Sequence, residues 1–204
     1  MEELRVDPDD LLRKIRKNEL KKDRGHLKIF FGYAAGVGKT YSMLKAAHAA
    51  KRRGTDVVAG YIEPHARPQT AQLLNGLELV PTKAVHHSGI TLREFDLDAS
   101  IVRHPQLILV DELAHTNGDG CRHEKRYQDI QELLEHGIDV YTTINVQHIE
   151  SLNDLVASIT GVTVSERIPD SIFDNADQVE LVDLEPKDLI ERFKEGNVYA
   201  KHQA

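Results

Sequence analysis

A chain of 204 residues with 40% hydrophobic side chains is long enough to bury a full core without staples. Its 26 Lys and Arg against 33 Asp and Glu give a net charge of -7, which argues against a protein that neutralises a nucleic-acid backbone. The single cysteine, Cys121, excludes an internal disulfide and argues against a Cys-rich zinc site, so the chain reads as intracellular.

The opening MEELRVDPDD lacks the apolar stretch of a leader, and no run of about 18 apolar residues follows that would cross a bilayer. Any membrane anchor would lie outside these residues. Leu11, Leu12, Ile15 and Leu20 recur at helical spacing behind Asp9 and Asp10, predicting an amphipathic basic helix within 1–24. Its cluster of Lys and Arg is a solvated face or a contact to anionic lipid or an acidic partner. The remainder, 25–204, has no linker rich in Gly, Ser or Pro and reads as one domain.

From Gly25 short apolar runs alternate with amphipathic stretches. HLKIFF, DVVAGYI, LELVP or the nearby KAVHH, LILVD and DVYTTIN are strand candidates. Helices are expected over YSMLKAAHAAKRR, near Gln69 to Leu74, and over Leu92 to Val102, Lys125 to His136 and His148 to Ile159. DQVELVD predicts an edge or added strand, and EPKDLIERFKEG a helix starting near Pro186 and stopping at Gly196. Apolar strands alternating with helices predict an α/β fold of three layers, α/β/α, around a mainly parallel sheet.

KIFFGYAAGVGKTYSML runs from a strand through a glycine turn into a helix, which turns several backbone N–H groups and the positive helix end toward one point. That point suits a phosphate. The loop is taken as Gly36, Val37, Gly38, Lys39, Thr40 and Tyr41: the glycines permit the tight path, Lys39 reaches the terminal phosphates and the Thr40 hydroxyl ligates Mg2+. The pattern G-x-x-x-x-G-K-[ST] puts its first glycine at Tyr33, with Gly32 one place earlier. Either the loop carries an extra residue or Tyr33 takes that position. A dinucleotide fingerprint is the weaker rival, because its third glycine would fall at Tyr41.

LILVDE supplies a carboxylate at the end of an apolar strand, where ligands of open α/β sheets bind. Asp111 is placed on the metal and its water shell, and Glu112 as the general base that polarises an attacking water. Thr143 or Asn145, ending DVYTTIN, could sense a γ-phosphate or simply start the next helix. GYIEPHARP brings Glu63, His65 and Arg67 to the same sheet edge. His115, Cys121 and His123 have only a passing likeness to zinc ligands. Arg122 and Arg126 are candidates for a cation acting on the γ-phosphate, offered to a second chain or within the same one, against the plain alternative of a solvated helix start.

With GYAAGVGKTYSML, VDELAHTN, RHEKRYQDIQELLEHGIDVYTTINVQHIESLNDLV and VELVDLEPKDLIERFKEGNVY on the page, the chain resembles the N-terminal cytoplasmic domain of the KdpD sensor histidine kinases of bacterial potassium uptake. The likeness runs from DPDDLL to Val198. It departs at Pro64 and Ala66, where the family pattern is E-T-H-G-R. The resemblance implies a P-loop fold that binds ATP through Gly36 to Thr40 and Asp111 and tunes the kinase/phosphatase balance of the remaining sensor. The implied partners are ATP, the rest of that membrane-anchored kinase and proteins of the potassium-uptake system. Slow or absent hydrolysis is the leading expectation. The alternatives are an active ATPase or phosphotransferase acting on a protein substrate, and an interaction module with a vestigial site. A homodimer stays open.

Overall fold

The computed structural model describes residues 24–63, 68–87 and 90–194. The expected N-terminal helix and His65 and Arg67 lie outside them. Strands β1 (Leu27–Gly32), β2 (Val57–Tyr61), β3 (Glu78–Leu79), β6 (Leu107–Val110), β7 (Asp139–Asn145) and β8 (Gln178–Leu181) form one sheet in the order β3-β2-β6-β7-β1-β8. Every pairing in it is parallel.

The sheet is covered on both faces because its strands alternate between two apolar clusters. Ile29 of β1 and Ile108 and Val110 of β6 face Ile130, Leu133 and Leu134 of helix α4 (Arg126–Glu135). Phe30, Leu107 and Leu109 face Met43, Leu44, Ala47 and Ala50 of helix α1 (Lys39–Arg52). A strand buried on both sides has no polar face to show, which is why LILV reads as an unbroken apolar run. The architecture is a three-layer α/β/α fold around a parallel sheet, as expected.

The remaining helices are α2 (Pro68–Gln72), α3 (Leu97–Arg103), α5 (Glu150–Thr160), α6 (Asp170–Asp174) and α7 (Pro186–Lys194), with a 3-10 turn over Val146–His148 before α5. One stretch departs from expectation. The helix predicted over Leu92 to Val102 is split: β4 (Lys83–His87) and β5 (Ile90–Glu94) form a separate antiparallel hairpin, and α3 begins only at Leu97. ITLRE alternates apolar and polar residues with period two, and Asp96 marks the true helix start by accepting the Ala99 N–H at 2.9 Å. LELVP and KAVHH both contribute strands, on different sheets, where one strand is expected from the pair.

Register sets the functional edge. Gly32 at the end of β1 lies opposite Asn145 at the end of β7, and Phe30 opposite Thr143. β7 separates β1 from β6, so the phosphate loop and Asp111 approach each other across the end of β7.

Candidate functional site

The loop after β1 follows from its glycines. Gly36 and Gly38 have φ of 91° and 106°, a left-handed backbone that other residues adopt only at a cost. Gly32, not Tyr33, is the loop's first fixed point: a Cβ there would come within 2.7 Å of Val37 Cγ2 and 3.1 Å of Lys39 Cδ. Tyr33 instead turns outward, its hydroxyl donating to Leu184 O at 2.6 Å. The loop thus carries one residue more than the standard spacing.

Gly38 caps α1 without any side-chain hydrogen bond, and the first turn holds no acidic residue, whereas Lys51 and Arg52 complement the last turn. The helix is electrostatically complete at its C-terminus and incomplete at its N-terminus, an arrangement made for an anion. Lys39 Nζ donates to Ala34 O at 2.9 Å across the loop.

Asp111 is buried and meets hydroxyls from two neighbouring segments. Thr40 Oγ1 donates to its Oδ2 at 3.0 Å, and Thr143 Oγ1 donates to its Oδ1. Thr40 and Asp111 thus bring a hydroxyl and a carboxylate together, oxygen donors of the kind that could hold a magnesium ion. The Thr143 hydroxyl is engaged with Asp111 while the residue lines the cleft. Asn145, the other residue singled out on this strand, lines the cleft, and its buried Oδ1 has no partner among the described residues. A buried amide oxygen without a partner fits a site whose missing component is a polar ligand.

The cleft has a volume of about 290 Å³ and brings Gly36, Gly38, Lys39, Thr40, Asp111 and Glu112 together. Val37 is buried beneath the loop and Tyr41 lies on the outer side of α1, outside the cleft lining. Glu112 has φ of 61°, unusual for a side chain of its size, and its N–H lies 3.2 Å from Asp111 Oδ1 and 3.3 Å from Thr143 Oγ1. Strain held in place by such bonds concentrates at functional sites.

Burial, then the charges of Asp111 and Glu63, push the Glu112 carboxyl up to about 7 from its ordinary 4.5, against the opposing pull of Arg126 and His115. The folded state therefore holds this proton more tightly than the unfolded chain, and stability drains away as pH rises from about 4.5 to about 7. Glu112→Gln removes that loss. In urea titrations of the ligand-free chain, the mutant's advantage over the parent should widen across this window and level off above it. A constant difference between pH 5 and pH 8 would contradict the shifted proton.

Behind the carboxylate pair lies a buried polar network that the sequence reading missed. Arg126 is fully buried, donating from Nη2 to Glu94 Oε2 at 3.0 Å and from Nη1 to the Asp111 carbonyl at 3.3 Å, with its guanidinium 4.1 Å from the Tyr61 ring centre. Tyr61 in turn donates to Glu63 Oε2 at 2.8 Å. Arg126 is thus not an arginine offered to a second chain: it braces the end of β6 from inside. Arg122 is held by Asp98 and Glu132 on the surface, away from the cleft. His115 Nε2 lies 3.1 Å from Glu94 Oε2, and His123 Nε2 lies 2.7 Å from Glu132 Oε2, so these histidines serve carboxylates.

Thr70 and Glu166 also line the cleft without having carried a motif, and Gln147 and His148, from the TTINVQH run, join them. Glu166 accepts the Thr116 N–H at 2.9 Å, and its carbonyl lies 2.8 Å from His148 Nδ1. Among the described residues, no helix is long and apolar enough to cross a membrane.

The profile of the family described as KdpD, osmosensitive K+ channel His kinase sensor domain, matches residues 23–204. Sensor protein KdpD of Clostridium acetobutylicum is 61% identical over 199 residues, covering 98% of this chain and 22% of that protein. Sensor protein KdpD of Escherichia coli K12 is 54% identical over 203 residues, covering 100% of this chain and again 22% of the relative. A putative sensor protein KdpD of Synechocystis is 54% identical over 178 residues, covering 87% and 48%. The chain spans about a fifth of the length of the first two relatives and about half of the third. Among solved structures, AMPPCP-bound DnaA from Aquifex aeolicus superposes with a TM-score of 0.38 at 16% identity, covering 98% of this chain and 56% of that one. That likeness adds nothing to what the sheet order establishes.

Proposed function

The chain belongs to the KdpD family of osmosensitive K+ channel histidine kinase sensor domains, and from that premise we propose that it is a Mg-ATP-binding regulatory module of a longer sensor kinase. The observation that carries the reading is the N-terminus of α1, left without a cap or an acidic residue behind a two-glycine turn, facing the Thr40 and Asp111 pair. Gly36, Gly38, Lys39 and Thr40 would hold the phosphates, with Val37 contributing only its backbone N–H and Tyr41 lying outside the cleft; Thr40 and Asp111 would hold Mg2+. When bound, the cation would neutralise phosphate charge and polarise the terminal phosphoryl group. Adenine is favoured through family membership, and the chain lacks the N-K-x-D run that reads guanine. Occupancy of the cleft would tune the kinase/phosphatase balance of the remaining sensor and, through it, potassium uptake.

Titration with fluorescently labelled ATP and GTP, with and without Mg2+, tests this reading. Magnesium-dependent ATP binding is expected. Binding of neither nucleotide would leave an interaction module with a vestigial site.

A second reading, slow hydrolysis or phosphoryl transfer to a protein, is favoured by Glu112, whose carboxyl is poised near neutrality at the cleft. Asp111→Asn should weaken Mg-dependent affinity severalfold. Glu112→Gln should leave binding within twofold and abolish any turnover measured as phosphate release. Equal loss of binding in both variants would make the two carboxylates a single metal site.

A further inference from the structure

The outer rim of the phosphate loop is built by a segment far away in sequence. Val182 N–H donates to Phe31 O at 2.7 Å, the Tyr33 hydroxyl donates to Leu184 O, and Arg192 Nη1 donates to Gly36 O at 3.2 Å. Val182 and Leu189 share one apolar cluster with Val37, Met43 and Leu44. The exit from β8 and the helix α7 are therefore docked on the end of β1 and on the loop that follows it, by hydrogen bonds at three successive points and by a common core.

The Arg192 bond falls on a critical peptide. A trans peptide sets its C=O and N–H antiparallel, so a donor that fixes the Gly36 carbonyl also fixes the direction of the Val37 N–H. Gly36, with φ of 91°, has no Cβ to hinder rotation of this unit. A charged donor makes a stronger bond than a neutral one, and a carbonyl so engaged makes its own N–H a better donor in turn. The guanidinium thus supplies orientation where the backbone itself supplies least.

We infer that Arg192 is a positioning residue of the phosphate loop, and that through it helix α7 is coupled to occupancy of the cleft. The inference rests on the Mg-nucleotide reading above and names how the bound state would be felt outside the cleft. Coupling is reciprocal: if a docked α7 prepares the loop for phosphate, phosphate strengthens docking of α7 by the same factor.

The experiment is amide hydrogen exchange on the 204-residue chain and its Arg192→Ala and Arg192→Lys variants, with Mg-ATP titrated by calorimetry. Without nucleotide, Arg192→Ala should speed exchange at loop amides 36–40 about threefold or more, and Arg192→Lys should restore most of it. With saturating Mg-ATP, amides 187–194 of the parent should slow, and Arg192→Ala should bind about threefold to fivefold more weakly. Unchanged loop exchange in ligand-free Arg192→Ala overturns the positioning role. Unchanged affinity, or no slowing in α7, overturns the coupling. Failure of the parent chain to bind Mg-ATP overturns the nucleotide reading and the coupling with it, while the ligand-free exchange still decides the positioning role.

Discussion

Arg126→Ala is expected to lower the unfolding free energy by about 3–5 kcal/mol, the range for removing one member of a buried ion pair. The guanidinium has no exposed surface, and Glu94, its partner, is 4% exposed. Burial pushes the Glu94 carboxyl up, but His115, Arg126 and the Gly118 N–H together outweigh burial and hold it below the usual range. Without Arg126 that balance fails, and the Asp111 carbonyl and the Tyr61 ring lose their neighbour as well. The charge, not the volume, is at stake: Arg126→Met should be nearly as damaging, whereas Glu94→Gln with Arg126→Met should recover much of the loss. Urea denaturation of the parent, Arg126→Met, Glu94→Gln and the double variant measures this cycle, with Arg126→Ala beside them. A loss below about 1 kcal/mol in Arg126→Ala would mean that the pair contributes little.

Lys39→Ala should weaken Mg-ATP binding at least tenfold, about 1.4 kcal/mol, because it removes a charge-assisted contact to the terminal phosphates. The fold should persist, since α1 keeps Met43, Leu44, Ala47 and Ala50 in the core beneath the sheet. Calorimetry reads the affinity and circular dichroism the fold. Unchanged affinity with an intact spectrum would move the phosphate site away from this loop.

What the sequence makes legible is local. Glycines, Lys39 and Thr40 at a strand-to-helix junction, and Asp111 with Glu112 after LILV, announce themselves within a few residues. Gly32 does not, because its need for a bare Cα comes from Val37 and Lys39 folding back over it. Arg126 was the hardest to place: in RHEKRYQD it looks like one more surface cation. Its burial depends on Tyr61 and Glu94, from β2 and from a hairpin hidden inside a presumed helix. Asn145 is marked by its place at the polar end of DVYTTIN, whereas Arg192 matters through long-range docking, which has no short-range signature.

The position of β1 between β7 and β8 bears on how the chain acquires its site during synthesis. His26 and Asp139, which bond at the start of the β1 and β7 pair, are 113 residues apart, and the partner on the other side, β8, emerges later still. At about 5–20 residues per second, a ribosome takes on the order of ten seconds to deliver the first partner after β1 has appeared. Throughout that interval LKIFF is an apolar strand with both edges open, the condition most exposed to aggregation and to chaperone capture. The glycine loop that follows β1 leans on β7 through Asp111 and Thr143 and on the exit from β8, so the cleft proposed for nucleotide is complete only when almost the whole sheet is in place.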